Sequence, residues 1–172
     1  MTSGGILSTR KAALSLQQLE GKDAPTIYQL VQDSSAHLTR LGDYTDLVAM
    51  TCEDLANQFS DGTSQQQFGL VLKETKLIGV VSLIQYGNSI FGLGYWIGEA
   101  YSGFGYMTEA VRAGIDFAVR EKSATELWAG IRHDNEASIK LVKRLGFELA
   151  REQESHLSFR MSVSVDSESK IK

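Results

Sequence analysis

Gly94-Tyr-Trp-Ile-Gly-Glu-Ala-Tyr-Ser-Gly-Phe-Gly-Tyr-Met-Thr-Glu-Ala110 decides how this chain is read. The stretch leaves an apolar strand, Ile90 to Ile97, crosses Gly103-Phe-Gly105 and enters a region of helical period. Met107, Ala110, Val111, Gly114, Ile115, Ala118 and Val119 recur at that spacing, so an amphipathic helix is expected from Thr108 to about Arg120. Glycines let a backbone approach a ligand closely, and the first helical turn leaves N–H groups without partners. Together with the helix dipole, those amides favour an anion, most often phosphate. Taken alone, G-x-G fits an ordinary strand-to-helix turn equally well. The dinucleotide fingerprint fails, because Thr108 stands where a third glycine or alanine belongs. The lysine of a phosphate-binding loop is missing too.

Working outward, Ala12 to Leu19 alternates weakly as a strand, and Asp23 to Gln32 reads as a helix with Pro25 near its start. Ser35 to Leu41 is a short helical piece broken by Gly42-Asp43. Thr51-Cys-Glu-Asp54 resembles a capping box and opens a helix to about Phe59. Phe68 to Leu72 and Leu77 to Ile84 are apolar strands joined by a charged turn. Beyond the central helix come a strand at Leu127 to Ile131, a helix at Ser138 to Leu145, and a strand pair at Phe147 to Arg151 and Leu157 to Val165. This order specifies a mixed α/β domain spanning 1–165, with a polar tail at 166–172.

The chain has 172 residues, enough for one domain that hides roughly 70% of its unfolded surface. Hydrophobic residues make up 42% and charged residues 22%, which excludes wholesale disorder. No run approaches the roughly 18 apolar residues of a membrane span, and no signal peptide is expected. One cysteine, Cys52, rules out an internal disulfide and fits a reducing, cytoplasmic compartment. With 17 Lys and Arg against 21 Asp and Glu, the net charge of −4 is not that of a generic nucleic-acid binder. No metal site and no membrane partner are expected.

The quoted stretch resembles the acetyl-CoA loop of the GNAT superfamily of N-acetyltransferases, above all its RimJ/RimL-like branch, which acetylates ribosomal-protein N-termini. A second block supports the resemblance: Asn135-Glu-Ala-Ser138 followed by Lys143-Arg-Leu-Gly-Phe147. The similarity is good from about Lys76 to Phe147 and elsewhere rests on layout. Ser102, Phe104 and Met107 depart from the usual loop, and Phe104 removes a positive charge beside a polyanion. The resemblance implies a central twisted, mostly antiparallel sheet of about six to seven strands, flanked by about four helices and splayed in a V at the acetyl-CoA site. It further implies direct attack of an amine on the thioester of acetyl-CoA, the co-substrate.

By the same resemblance, Gly103, Phe104, Gly105, Tyr106, Met107 and Thr108 hold the pyrophosphate, mainly by backbone amides. A backbone N–H near Trp96 or Ile97 polarises the thioester carbonyl, and glycines 92, 94 and 98 fit a bent strand or crowded backbone. Asn135 hydrogen-bonds the pantetheine, and Ser138 stabilises or protonates the leaving thiolate; both residue types also cap helices. Many family members carry a tyrosine four residues after this serine, where this chain has Val142. Arg144, with Lys140 and Lys143, either contacts the adenosine 3′-phosphate or forms a solvated helix face. Glu99 is the first candidate for the general base; His37, His133 and His156 are weaker ones, and a water chain could serve instead. Tyr95 and Trp96 read as core or pocket wall and Cys52 as a poor nucleophile.

From Gly42 to Leu72 there is no Lys or Arg, while Asp43, Asp46, Glu53, Asp54 and Asp61 are present. In this fold that region walls the acceptor site, which favours a cationic amine. The acceptor is then a protein N-terminus, or else a small amine such as a polyamine or antibiotic. A non-catalytic acyl-CoA-binding module is a third reading. Dimers are common in the branch, so a homodimer is compatible with the resemblance.

Overall fold

The computed structural model describes residues 5–41, 44–62 and 65–164. The expected tail at 166–172, the break at Gly42-Asp43 and the Asp43 carboxylate lie outside them. Among the described residues eight strands form one sheet: β1 (Ile6–Ser8), β2 (Leu14–Gln18), β3 (Gln65–Leu72), β4 (Lys76–Gln85), β5 (Ile90–Ile97), β6 (Glu126–Arg132), β7 (Glu148–Glu152) and β8 (His156–Ser162). Their order is β1-β2-β3-β4-β5-β6-β8-β7, and every pairing is antiparallel except β5 with β6. Among the described residues six α-helices accompany them: α1 (Ala24–Asp33), α2 (Ser35–Leu41), α3 (Thr45–Ala49), α4 (Cys52–Asp61), α5 (Tyr106–Lys122) and α6 (Glu136–Arg144).

This is the mixed α/β fold that the sequence implies, enlarged by β1 and α3. β1 is three residues long, with two of its residues exposed, and only its pairing with β2 defines it. α3 is a five-residue turn with no buried residue, too short for a period to show.

The core lies on both faces of the sheet. On one face, α5 and α6 pack Met107, Ala110, Val111, Ile115, Leu141 and Val142 against Leu16, Phe68, Leu70, Val81, Leu93 and Leu127. Phe68 and Phe117 meet edge to face, ring centroids 5.0 Å apart. On the other face, α1, α2 and α4 set Ile27, Val31, Leu38 and Leu55 against Val80 and Trp96. Local chemistry fixes the helix starts. Thr51 Oγ1 accepts from the Asp54 N–H at 3.1 Å, and Asp54 accepts in return from the Thr51 N–H at 2.8 Å, closing the capping box of α4.

Two bonds tie the helical N-terminal region to the strand that opens the site. The Tyr44 hydroxyl donates to the Tyr95 carbonyl, and burial pushes the Tyr44 phenol well above its ordinary range. The buried Ser34 hydroxyl accepts from the Glu99 N–H at 3.2 Å.

Candidate active site

The two parallel strands pair only at their beginnings. Ile90, Phe91 and Gly92 face Glu126, Leu127 and Trp128, and the ladder then stops, although β5 runs on to Ile97 and β6 to Arg132. The strands separate in a V. The β5 edge from Leu93 to Ile97 is left without a partner on that side, since β4 occupies only the other. A cleft of about 770 Å³ fills the gap, within the range of small-molecule sites. Leu93 to Ile97 line one wall and Gly130, Ile131 and Arg132 the other; the glycine loop and the start of α6 close one end.

At the loop, Gly103 and Gly105 have φ of +83° and +76°, a region that L side chains rarely enter. Gly105 is the N-cap of α5, and its side brings no capping group, so the first amides of a 17-residue helix remain available to a ligand. Met107 is buried and anchors the turn. Gly92 and Gly98 lie close to neighbouring side chains. A Cβ on Gly92 would lie 2.6 Å from the Tyr86 ring, and one on Gly98 would lie 2.7 Å from Leu30. The nearest atoms at both positions belong to side chains rather than to backbone.

At the opposite wall Asn135 is the N-cap of α6, its Oδ1 accepting from the Ser138 N–H at 3.2 Å. The cap therefore belongs to Asn135, and the Ser138 hydroxyl takes no part in it. Val142 is fully buried in the core.

Of the sequence-derived site residues, Trp96, Ile97, Gly103, Gly105, Tyr106, Met107, Thr108, Asn135, Ser138 and Arg144 all line the cleft. Phe104 and Glu99 do not. Phe104 is 61% exposed and stacks on Tyr106, centroids 5.7 Å apart. Glu99 is exposed on a short 3-10 turn (Glu99–Tyr101) behind the strand end. Among the histidines, His37 and His156 line the cleft. The His156 ring rests against Gly130, and its Nδ1 is 2.9 Å from the Ser155 hydroxyl. His133 instead sits outside, 2.7 Å from the Gln153 carbonyl. Lys140 and Arg144 line the cleft and Lys143 does not. Asp46, Glu53, Asp54 and Asp61 are not among the lining residues either, so the acidic stretch supplies no described carboxylate to this cleft.

Two residues matter more in the fold than the sequence suggests: Tyr95 reads there only as core or pocket wall, and Lys11 has no assigned part. Tyr95 projects from β5 toward α5 and α6 and lines the cleft near Ser138. Lys11, in the β1–β2 turn, stands beside the glycine loop with its ammonium 5.7 Å from the Tyr106 ring centroid. Only the pairing of β1 and β2 onto the sheet brings it there.

Comparison with known proteins agrees with this geometry. A family model described as an acetyltransferase (GNAT) domain matches residues 13–148. The probable N-acetyltransferase YjcK of Bacillus subtilis is 33% identical over 87 residues; the match spans 48% of each chain. The structure of RimL, a ribosomal L7/L12 α-N-protein acetyltransferase in complex with coenzyme A, superposes with a TM-score of 0.80. It is 20% identical, over 94% of this chain and 99% of that one. The microcin C7 self-immunity acetyltransferase MccE, in complex with acetyl-CoA and AMP, superposes with a TM-score of 0.71 at 19% identity. That alignment covers 88% of this chain and 93% of MccE. The matching model, the splayed strands and the glycine loop lead to one conclusion: the chain belongs to the GNAT family of acetyltransferases, with acetyl-CoA as co-substrate.

Proposed function

We propose that the chain transfers the acetyl group of acetyl-CoA to the α-amine of a protein N-terminus, by direct attack within a ternary complex. The observation that carries this reading is the gap between β5 and β6, which offers an unpaired strand edge with the glycine-loop amides at one end and Ser138 beside it. Pantetheine pairs with that edge, the amides of 103–108 take the pyrophosphate, and Arg144 with Lys140 meets the remaining phosphate. A backbone N–H at Trp96 or Ile97 polarises the thioester carbonyl. The amine nitrogen forms the new C–N bond, and the C–S bond breaks with its electron pair on sulfur. The Ser138 hydroxyl stabilises that charge.

The amine must be neutral to attack. His37 and His156 are the histidines among the described lining residues, and a ring nitrogen of either is the candidate proton acceptor. An α-amine, with an ordinary pKa of about 7.7–8.0, offers far more of the neutral form near pH 7 than a lysine ammonium near 10.4. The fold likeness to RimL supports the protein N-terminus as acceptor, and a ribosomal acceptor would place the enzyme in the cytoplasm. The likeness to MccE supports a second reading, a small-molecule amine.

The test is thiol release from acetyl-CoA with a panel of acceptors: peptides with the N-termini of ribosomal proteins, the same peptides N-formylated, spermidine and an aminoglycoside. Release with the free peptides and none with the formylated ones is expected. Release only with the small amines would select the second reading. CoA binding without release for any acceptor would leave a binding module.

A further inference from the structure

Four side-chain polar atoms among the described residues are buried without a hydrogen-bond partner: Gln67 Nε2, Tyr95 Oη, Glu109 Oε2 and Arg112 Nε. Glu109 and Arg112 pair with each other through their other atoms at 2.8 Å, and Gln67 sits on β3 away from the cleft. Only Tyr95, of these four, lines the cleft. A buried hydroxyl without a partner is costly, and phenylalanine would fill the same space without that cost.

The surroundings say what the hydroxyl faces. Tyr95 extends from β5 onto the face covered by α5 and α6, and Ser138 occupies the first turn of α6. Ser138 lies near enough to favour the ionised phenol, yet no full hydrogen bond joins the two hydroxyls. The backbone at Tyr95 is fixed from the other side, because the Tyr44 hydroxyl donates to its carbonyl. The Ser138 backbone is fixed by Asn135. Neither side chain is therefore placed by chance at the point where the strands part.

Resting on the acetyl-transfer reading above, we propose that Tyr95 is a positioning residue: its O–H donates to Ser138 Oγ and turns the Ser138 O–H onto the thioester sulfur. As the C–N bond forms and the C–S bond breaks, the electron pair stays on sulfur. The Ser138 O–H stabilises that charge, and the Tyr95 O–H strengthens it by polarising Ser138. No net proton leaves either hydroxyl. The nitrogen gives its proton to water, and the thiolate takes one from water after departure. Burial supports the role: it pushes the phenol up to about 12, the Ser138 contact opposing weakly, so Tyr95 stays a neutral donor across the working range.

The experiment measures kcat, KM and Tm for the wild type, Tyr95→Phe, Ser138→Ala and the double variant in the thiol-release assay. Tyr95→Phe should lower kcat roughly 10- to 100-fold, as loss of support for a charge-assisted bond would. Its KM for acetyl-CoA should stay within about threefold, and its Tm should stay close to wild type, since the ring keeps its packing. The double variant should be no slower than Ser138→Ala alone, because one hydroxyl acts through the other. Wild-type kcat in Tyr95→Phe, or multiplicative losses in the double variant, would overturn the proposal. So would wild-type kcat in Ser138→Ala, with acetyl transfer itself left standing. An inactive wild-type chain would overturn both readings, and the comparison with wild type tells these failures apart.

Discussion

Replacing Asn135 and Ser138 one at a time separates helix capping from chemistry. Both residue types cap helices, and they stand three apart at the start of α6. The structure assigns the cap to the Asn135 side chain and the Ser138 backbone N–H, 3.2 Å apart. Asn135→Ala removes that acceptor and should cost about 1 kcal/mol, or about 2–4 °C in Tm for a domain of this size. Ser138→Ala keeps the N–H and introduces a better helix former, so its Tm should stay at or slightly above wild type. The rate should respond in the opposite sense. A hydroxyl that meets the charge on a departing sulfur makes a charge-assisted bond worth about 1.5–3 kcal/mol. Its loss corresponds to roughly 10- to 150-fold in kcat. Thermal melts and thiol-release kinetics on the two variants, each at saturating acetyl-CoA, give all four numbers. A Ser138→Ala variant that melts as low as Asn135→Ala while turning over at the wild-type rate would refute the assignment.

Gly105→Val should strain the loop, because a β-branched residue at φ +76° costs about 1–2 kcal/mol or more, and it should weaken CoA binding in calorimetry. Unchanged affinity would place the pyrophosphate elsewhere. Arg144→Gln should raise KM for acetyl-CoA severalfold and leave KM for the 3′-dephospho thioester unchanged; equal effects on both would move the 3′-phosphate away from α6. The Thr51 amide and hydroxyl hold the Asp54 carboxyl below its usual range. A depressed carboxylate pKa stabilises the fold above the unfolded value, and that contribution is lost as pH falls through the folded one. The Tm gap between wild type and Asp54→Asn should therefore be present at pH 7 and close toward pH 3. A gap that persists in acid would show that Asp54 stabilises without its charge.

The elements legible in the sequence are those whose own residues dictate them. α5 carries seven apolar positions at helical spacing, six of them buried, and Thr51 with Asp54 forms the capping box that the local string suggests. β1 and α3 were not legible, because neither buries enough of its own side chains to leave a pattern. β7 stays exposed along its whole length, and its pairing with β8 gives it its place.

The same division explains the site. In the proposed site backbone groups make the cofactor half, so a short string announces them: glycines where φ must be positive, then a helix N-terminus, then an Asn-x-x-Ser cap. The acid–base half depends on side chains that meet only through tertiary contacts. Glu99 looked well placed because it follows the strand end by two residues, yet the 3-10 turn carries it out to solvent. His156 lies 57 residues further along the chain than Glu99 and reaches the cleft because β8 pairs with β6, where its register partner is Arg132. Tyr95 read as pocket wall because a tyrosine next to an apolar strand residue is ordinary. The role proposed for it depends on a hydroxyl 43 positions away at Ser138, on a helix whose approach no local pattern encodes. Where the strands part, the sequence around the cofactor can be read directly, while the proton-handling groups follow from the order in which the sheet assembles.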